Sequence, residues 1–257
     1  MSDYLHNMFS LEGKVALVSG ASRGLGKAMA IALASAGADL ILTATNEANL
    51  QGTKDEIHAL GKKARAIACD QSKPEQIQAV FEIVAEEYGR LDILINNAGT
   101  IRRAPAHETS DDDWNHVIDT NLNGVFQFCR NAGKLMLEQG SGKIINVASL
   151  LTFSGGITVP AYAASKGAVG QLTKALANEW ANSNIQVNAI APGYFATDNT
   201  QQLRDDKERN ASISARIPTG KWGQPDDLAG AAVFLSSQAS NYVNGHILLV
   251  DGGWMAR

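Results

Sequence analysis

The sequence predicts an α/β protein built on a doubly wound parallel sheet with helices on both faces. Short apolar runs alternate along the chain with amphipathic stretches of ~10–20 residues, which is the pattern of consecutive βαβ units. The apolar runs lack polar alternation, as expected for strands that helices cover on both faces. Hydrophobic residues make up 45% of the 257 residues, and no linker or repeat divides them. We therefore expect a single domain over residues 1–257.

Each predicted element follows from its local composition and from the residues at its ends. The helix at Pro74–Tyr88, for example, has Ser72 as a plausible cap and ends at Gly89. Strands are expected at Lys14–Ser19, Asp39–Thr45, Ala64–Cys69, Leu91–Ile95, Lys143–Val147, Ile185–Ile190 and His246–Val250. Helices are expected at Leu25–Ala36, Glu47–Leu60, Pro74–Tyr88, Asp111–Glu138, Ala161–Ala181 and Pro225–Ser236.

The overall composition argues against several functional classes. A net charge of −4 argues against nonspecific nucleic-acid binding. The N-terminal residues do not resemble a signal peptide, and no apolar run approaches the ~20 residues that span a bilayer. Cys69 and Cys129 have apolar neighbours without metal-ligand spacing, and the five histidines are scattered. We expect a reduced, cytoplasmic protein with no membrane or nucleic-acid partner and no metal site.

A glycine-rich turn follows the first predicted strand and opens the first helix, reading Gly20-Ala-Ser-Arg-Gly24-Leu-Gly26. Glycine lets the backbone approach a pyrophosphate closely. The amides at the following helix N-terminus carry roughly half a positive charge, which attracts that anion. A tight structural turn would also explain the glycines, but their place between a strand and a helix favours dinucleotide binding and a Rossmann-type fold.

The glycine spacing is GxxxGxG, and further motifs follow along nearly the whole chain. Asn96-Asn97-Ala98-Gly99 follows the fourth strand, and Ser149 ends the fifth. Tyr162-Ala-Ala-Ser-Lys166 opens the next helix, and Pro192-Gly193 follows the sixth strand. This combination resembles the short-chain dehydrogenase/reductase family. The resemblance implies an NAD- or NADP-dependent oxidoreductase that acts on CH–OH groups.

The resemblance also implies which positions hold the dinucleotide. The phosphates and the adenosine ribose would be lined by Gly20, Ser22, Arg23, Gly24, Leu25 and Gly26. Asp70 would touch the adenine, and the ribose would be flanked by Asn97, Ala98 and Gly99. The nicotinamide carboxamide would be held by Pro192, Gly193, Phe195 and Thr197, and the cofactor would also contact Tyr162 and Lys166.

The choice between NAD and NADP stays open at this point. NAD-selective members usually carry an acidic residue after the second strand, where it binds the ribose 2′-OH. Here that region reads Thr43-Ala44-Thr45-Asn46, without a carboxylate. Arg23 would accept a 2′-phosphate through charge-assisted hydrogen bonds, or it merely packs over the adenine. The residues lean to NADP, whereas the subgroup resemblance described below leans to NAD.

Tyr162 and Lys166 are four residues apart and therefore share one helix face. A free tyrosine has a pKa of about 10, which is poor for proton transfer near neutrality. A cation about 4 Å away, at an effective dielectric of about 20, favours the phenolate by at most about 4 kcal/mol, or roughly three pKa units. Desolvation opposes this lowering. We expect Tyr162 to exchange the proton on the substrate oxygen.

The resemblance assigns two further catalytic positions. Ser149 would hydrogen-bond the carbonyl oxygen of the substrate and place it beside Tyr162. Asn121 would anchor a water that connects Lys166 to bulk solvent. A catalytically inactive dinucleotide-sensing protein is the remote alternative, but such proteins typically lack the tyrosine or the lysine, and both are present here.

Loops at the carboxyl edge of the sheet are expected to determine the substrate. Residues 100–103, residues 155–160 and a lid at about 194–222 resemble the 2-dehydro-3-deoxy-D-gluconate 5-dehydrogenases. This group is also called 2-deoxy-D-gluconate 3-dehydrogenase and is similar to the gluconate 5-dehydrogenases. The resemblance implies a six-carbon sugar acid as substrate. The alternatives are a gluconate 5-dehydrogenase and a 3-oxoacyl-carrier-protein reductase, although no obvious basic patch for an acyl carrier is present.

A sugar-acid carboxylate needs a cationic partner, and arginine binds carboxylates bidentately. Arg102 and Arg103 come just after a cofactor-binding turn, so one of them is expected to serve unless both are solvated surface charges. Gln201, Gln202 and Arg204 are weaker candidates, because an exposed lid helix explains them equally well.

Assembly follows from the resemblance, which implies a homotetramer formed through two long helices and the C-terminal segment. The small apolar residues of Ala161–Ala181 suit a helix-packing interface, but they also suit a buried core helix. Trp222 and Trp254 would close the site or fill a subunit contact, and for Trp254 we favour the contact.

Overall fold

Seven parallel strands form one sheet at the centre of the protein. The computed structural model describes residues 3–257. The strands are β1 (Val15–Ser19), β2 (Asp39–Ala44), β3 (Ala64–Ala68), β4 (Ile93–Asn96), β5 (Gly142–Val147), β6 (Ile185–Pro192) and β7 (Ile247–Val250). Their order in the sheet is β3-β2-β1-β4-β5-β6-β7. The predicted doubly wound fold is confirmed, and each strand lies within two residues of its predicted bounds.

Helices cover both faces of the sheet. The α-helices are α1 (Asp3–Phe9), α2 (Gly24–Ser35), α3 (Gln51–Ala59), α4 (Pro74–Glu87), α5 (Asp111–Ile118), α6 (Gly124–Gln139), α7 (Pro160–Trp180), α8 (Gln201–Asp205), α9 (Lys207–Arg216) and α10 (Ala229–Ser236). Short 3-10 helices lie at Glu47–Leu50, Ala106–Glu108, Leu150–Thr152, Ala181–Ser183, Asp198–Thr200, Pro225–Leu228, Gln238–Ser240 and Trp254–Ala256. No helix within residues 3–257 is long and apolar enough to cross a membrane.

Two apolar cores lie on opposite faces of the sheet. Ala16 and Val18 of β1 join the core that also contains Leu33 of α2, whereas Leu17 joins the core that contains Phe128 of α6. Successive strand residues point to opposite faces, so both sets of side chains are removed from water. This two-sided burial explains why the strands are apolar without alternation.

The stretch Asp111–Glu138, predicted to be mostly helical, contains the two helices α5 and α6. A π-helical segment, Asp119–Asn123, separates α5 from α6. Directly after it, a Cβ on Gly124 would lie only 2.3 Å from the carbonyl oxygen of Gln71, so the backbone of α6 packs closely against the turn after β3. The π-helical segment also contains the fully buried Asn121. Such segments occur frequently at functional sites.

The strand order reverses between β1 and β4, which opens a crevice at the carboxyl edge of the sheet. From β1 the chain builds β2 and β3 on one side, and it then returns to build β4 to β7 on the other. Ser19 and Asn96 end the two central strands. The glycine-rich turn and the turn after β4 therefore meet at this crevice.

Candidate active site

Three glycines of the turn after β1 each meet a different requirement. Gly20 has φ 65°, and a Cβ there would lie 2.8 Å from the Cα of Ala98. Gly24 also has positive φ, at 54°. A Cβ on Gly26 would lie 2.2 Å from the carbonyl oxygen of Gly20 and 2.3 Å from Nδ2 of Asn97. Side chains are thus excluded where a pyrophosphate would approach the N-terminus of α2, so these residues fit a dinucleotide.

Hydrogen bonds lock the two turns of the crevice together. Asn97 Nδ2 donates to the carbonyl oxygens of Ser19 and Gly20, both at 3.0 Å. The Ser19 hydroxyl oxygen accepts from the backbone N–H groups of Asn97 at 3.1 Å and Ala98 at 3.0 Å. The sequence reasoning missed Ser19, although a buried hydroxyl at the end of an apolar strand is a recognisable signal of such a role.

The turn after β3 supports the same crevice from the side. Asp70 Oδ1 accepts from the backbone N–H of Ser72 at 2.9 Å and from its hydroxyl at 2.7 Å. Burial of Asp70 opposes its ionisation, but these bonds dominate and hold the pKa of the carboxyl below its usual value. Gln71 Nε2 donates to the carbonyl oxygens of Ala98 at 3.0 Å and Thr120 at 2.5 Å. Gln71 thereby ties the turn after β4 to the π-helical segment, and nothing in the sequence had indicated that role.

Arg23 lies on the surface at the mouth of the crevice. Its Nε is 3.4 Å from Asp198 Oδ2, and both side chains are more than 70% exposed. Thr45 and Asn46, at the end of β2, are also exposed, and Asn46 caps the next turn by accepting from the N–H of Ala48. Ser22, beside Arg23, is partly exposed. The guanidinium is therefore accessible from solvent.

The residues predicted to hold the nicotinamide follow β6. A Cβ on Gly193 would lie 2.6 Å from the Cα of Asp251, so this turn packs tightly against the C-terminal segment. The Phe195 ring is buried, packs on Gly223 and joins the core that contains Leu33. The methyl carbon of Thr197 would lie 3.5 Å from a Cβ on Gly24, which brings the start of the lid over the glycine turn.

Three other predicted cofactor contacts lie at the edges of this arrangement. Leu25 is partly buried and packs against the core beside α2, so its side chain points toward that core. Gly99 is exposed, and a Cβ there would lie 3.3 Å from Asn121 Oδ1. Pro192 is buried as the last residue of β6. These three residues surround the crevice at different depths.

Ser149, Tyr162 and Lys166 are brought together at the carboxyl end of β5. The Ser149 hydroxyl lies close enough to Tyr162 to lower the pKa of the phenol, and it also accepts from the N–H of Leu151 at 3.2 Å. Lys166 is buried, and its Nζ donates to the carbonyl oxygen of Val147 at 2.6 Å. The same Nζ lies 5.7 Å from the centre of the Tyr162 ring. The hydroxyls of Ser149 and Tyr162 and the ammonium of Lys166 thus lie together in one site that is partly shielded from water.

The predicted lowering of the Tyr162 pKa by Lys166 is wrong in direction. Burial is the largest influence and raises the pKa of Tyr162, although the Ser149 hydrogen bond and the Arg103 guanidinium both lower it. Burial also lowers the pKa of Lys166 to about 8. The sequence estimate assumed an ammonium about 4 Å from the phenol. In the structure the Lys166 Nζ is bonded instead to the backbone oxygen of Val147.

Asn121 connects the substrate edge to the helix that carries Tyr162. Its Oδ1 accepts from the N–H of Thr100, and its Nδ2 donates to the carbonyl oxygen of Thr100, both at 2.8 Å. The same Nδ2 donates to the hydroxyl of Ser165 at 3.3 Å. The side chain therefore fixes the loop that follows the turn after β4.

The two arginines of that loop have different surroundings. Arg102 Nε lies 3.3 Å from Asp113 Oδ1, at the start of α5. Arg103 is exposed, and its charge reaches Tyr162 strongly enough to lower the pKa of the phenol. Of the two candidates for binding a carboxylate, Arg103 is the one whose charge lowers the pKa of Tyr162.

The lid candidates make contacts mainly within the lid. Gln201 Nε2 donates to Asp205 at 2.7 Å, and Arg204 Nη2 donates to the carbonyl oxygen of Thr197 at 3.1 Å. Gln202 is exposed. Under the lid, the ring centres of Trp222 and Trp254 lie 5.3 Å and 4.7 Å from the ring centre of Tyr194. This aromatic cluster packs the two ends of the lid against the C-terminal segment.

Comparison with known proteins agrees with this geometry. Residues 20–255 match the family model described as Enoyl-(Acyl carrier protein) reductase. A 2-dehydro-3-deoxy-D-gluconate 5-dehydrogenase from Pseudoalteromonas atlantica is 58% identical over 251 residues, covering 97% of this chain and 98% of the relative. A relative of the same name from Bacillus subtilis is 54% identical over 256 residues, covering 99% of each. The structure of a gluconate 5-dehydrogenase from Burkholderia cenocepacia, in complex with NADP and tartrate, is 39% identical with a TM-score of 0.95, covering 98% of this chain and 99% of that one.

Proposed function

Because the chain belongs to the short-chain dehydrogenase/reductase family, we propose that it interconverts the C5 alcohol and ketone of 2-dehydro-3-deoxy-D-gluconate. The observation that carries this proposal is the meeting of Ser149, Tyr162 and Lys166 at the carboxyl end of β5, where the Lys166 Nζ lies 5.7 Å from the centre of the Tyr162 ring. The charge of Arg103 also acts on Tyr162. A proton-exchanging phenol beside an accessible cation suits an alcohol or ketone that carries a carboxylate elsewhere in the molecule. The relatives from Pseudoalteromonas and Bacillus support the same substrate.

The residues of the site divide the chemistry between them. When bound, the nicotinamide dinucleotide accepts the hydride from the substrate carbon or supplies it. Tyr162 exchanges the proton on the substrate oxygen, and Ser149 donates a hydrogen bond that holds that oxygen beside the phenol. The raised pKa keeps Tyr162 protonated at neutral pH, which is the form that reduces a ketone. Lys166 is charged below its pKa of about 8 and stabilises the phenolate once it forms.

Arg103 is the proposed partner of the substrate carboxylate. Arg102 already pairs with Asp113, whereas the Arg103 guanidinium is exposed and acts on the side of the site that holds Tyr162. A bidentate pair with a carboxylate would fix the long axis of a sugar acid. The target carbon would then be presented to the phenol in a single orientation.

For the cofactor we propose a preference for NADP. Residues 43–46 at the end of β2 include no carboxylate that would bind the ribose 2′-OH of NAD. Arg23 offers an accessible guanidinium at the crevice mouth, although Asp198 competes for it at 3.4 Å. The relative from Burkholderia was solved with NADP. The prediction is a higher kcat/KM with NADP than with NAD.

The test is an absorbance assay at the reduced-nicotinamide band, with NAD and NADP each paired with a panel of substrates. The panel contains 2-dehydro-3-deoxy-D-gluconate, D-gluconate, a neutral sugar alcohol and an acetoacetyl thioester. The highest kcat/KM is expected with the first. A preference for gluconate would indicate a gluconate 5-dehydrogenase, and a preference for the thioester would indicate a carrier-protein reductase. Dinucleotide binding without any turnover would indicate a sensor.

The two neighbouring arginines provide a matched pair of variants. Arg103→Ala should raise the KM for the sugar acid about tenfold, because a charge-assisted bidentate contact is lost. Arg102→Ala removes the same charge one residue away and should leave that KM nearly unchanged. Equal effects of both substitutions would show that general surface charge, rather than a defined contact, attracts the substrate.

We also propose that the protein acts as a cytoplasmic homotetramer. Trp114, Phe126 and Leu137 expose about two-fifths of their surface along α5 and α6, which is unusual for large apolar side chains. Leu249 on the edge strand β7 and Tyr242 in the turn before that strand are further exposed apolar side chains. Apolar side chains exposed on different elements are what two different subunit contacts require. Sedimentation analysis tests the proposal, and a monomer at assay concentration would contradict it.

A further inference from the structure

The segment before α7 contains a backbone conformation that its side chain disfavours. Thr158 has φ 60°, and among residues 3–257 only Asn184 shares a positive φ without being glycine. Asparagine tolerates the left-handed region, whereas a β-branched residue there is a genuine outlier. Such strain persists only where the surroundings enforce it, and it is concentrated at functional sites.

Residues on both sides of Thr158 fix the chain and so enforce its conformation. Val159 is only 3% exposed and is followed by Pro160, whose ring sets the first turn of α7. A Cβ on Gly156 would lie 2.6 Å from Val159 Cγ2 and 2.7 Å from Leu151 Cδ1, so the segment is packed as tightly as glycine permits. Thr158 cannot relax without withdrawing Val159 from its pocket.

The strained conformation presents a carbonyl to the substrate loop. The Thr158 oxygen accepts the backbone N–H of Ala104 at 3.0 Å. Ala104 directly follows Arg103, and the other end of the same loop is held by Asn121 through both polar groups of the Thr100 backbone. The loop is therefore fixed on both sides of its arginines, and one of these attachments lies four residues before Tyr162.

We propose that Thr158 is a positioning residue that holds the Arg103 loop against the catalytic helix. The contact joins two backbones, so the identity of residue 158 acts through the φ angle it can adopt. When the loop is held, the guanidinium stays on the side of Tyr162. When it is released, the exposed Arg103 samples many rotamers and loses a fixed relation to the phenol. This inference rests on the proposed role of Arg103 in binding the substrate carboxylate.

Two substitutions at position 158 distinguish the effect of the φ angle from the effect of the side chain. Glycine adopts a positive φ freely, so Thr158→Gly should keep the wild-type KM for the sugar acid. Proline fixes φ near −65°, so Thr158→Pro should release Ala104 and raise that KM about tenfold with kcat within about twofold. The KM for the corresponding neutral amide of the sugar acid should not change. Hydrogen exchange of residues 100–104 should accelerate in the proline variant only.

A double variant tests whether Thr158 acts through Arg103. If it does, Arg103→Ala combined with Thr158→Pro should have the KM of Arg103→Ala alone. Three results would overturn the inference. The first is a double variant in which the two increases in KM multiply. The others are a Thr158→Pro variant in which only kcat falls, or one in which the hydrogen exchange of residues 100–104 is unchanged. If Thr158→Pro does not fold, Ala104→Pro removes the donor of the same hydrogen bond and is read by the same measurements.

The measurements also distinguish this inference from the proposed function. An unchanged KM in Arg103→Ala would refute the carboxylate contact. In that case the positioning role is judged by the ascending limb of the oxidation pH profile, where the rate rises as Tyr162 loses its proton, because the Arg103 charge lowers the pKa of Tyr162. Equal shifts of that limb to higher pH in Arg103→Ala and Thr158→Pro would support positioning, and a shift in Arg103→Ala alone would overturn it.

Discussion

Alanine at position 26 would push apart the two turns that form the cofactor crevice. Its Cβ would lie 2.2 Å from the Gly20 carbonyl oxygen and 2.3 Å from Asn97 Nδ2, whereas ordinary contact begins at 3.4 Å. The neighbours would have to move by more than 1 Å. Neither is a free side-chain end, because Asn97 Nδ2 is held at 3.0 Å by the carbonyl oxygens of Ser19 and Gly20. The substitution therefore breaks those bonds or displaces the backbone.

The expected cost follows from three contributions. Overpacking of a filled site costs about 1–3 kcal/mol. Each lost hydrogen bond of Asn97 adds about 0.5–1.5 kcal/mol, and the helix propensity of alanine returns about 1 kcal/mol. We expect Gly26→Ala to lose about 2–4 kcal/mol in free energy of unfolding, which lowers Tm by roughly 5–12 °C for a chain of this size.

Thermal unfolding and a fluorescence titration with NADP measure the two consequences. Gly52→Ala is the matched control, because Gly52 also lies in the first turn of a helix and a Cβ there meets nothing within 4 Å. The control should be as stable as the wild type or slightly more stable. If Gly26→Ala melts within about 2 °C of the wild type and binds NADP normally, the close approach of the two turns is not what shapes the crevice.

Three other substitutions test individual charges and hydrogen bonds. Ser149→Ala removes a bond that lowers the pKa of Tyr162, so the pH profile of alcohol oxidation should move to higher pH, and an unmoved profile would contradict the pairing. Arg23→Ala should lower kcat/KM for NADP about tenfold and change that for NAD little; equal losses would speak against a phosphate contact. Asp92 is buried, which opposes ionisation, but bonds from Arg90 and others hold its pKa below the usual value. Its stabilisation is therefore present above the ordinary carboxyl pKa of about 3.9 and is lost as the pH falls. Asp92→Asn should lose about 1–3 kcal/mol in urea unfolding near neutral pH, with the difference shrinking in acid.

The fold was largely predictable because its signals are local. Apolar strands and the glycines and proline at helix ends depend on neighbouring residues, and they located the seven strands within two residues. The exceptions depend on the rest of the molecule. Helix α1 has no buried residue, so the sequence has no apolar periodicity there that would predict a helix. The break at Asp119–Asn123 accompanies the contact between Gly124 and Gln71, which are 53 positions apart in the sequence.

The same distinction applies to the candidate site. Tyr162 and Lys166 share a helix face by spacing alone, and the glycine turn is contiguous. Ser19 accepts a hydrogen bond from a turn 78 residues away, and the Thr158 carbonyl accepts one from a loop more than 50 residues earlier. Neither role can be recognised from a single segment of the sequence. The inward direction of the Phe195 ring is likewise set by its packing on a distant part of the chain.

The position of Lys166 changes how its charge contributes to proton transfer. Spacing alone suggested that the ammonium lowers the resting pKa of Tyr162, but its Nζ is bonded to the Val147 carbonyl and burial of the phenol prevails. A buried cation bonded to one backbone oxygen remains poorly compensated, which is why its own pKa falls to about 8. A phenolate forming on Tyr162 would supply the missing negative charge near Lys166. The attraction between the two side chains is therefore greatest when the phenol has lost its proton. The lysine therefore favours the charge that develops on Tyr162 during ketone reduction more than it affects the resting neutral phenol, and this is the difference that increases a rate.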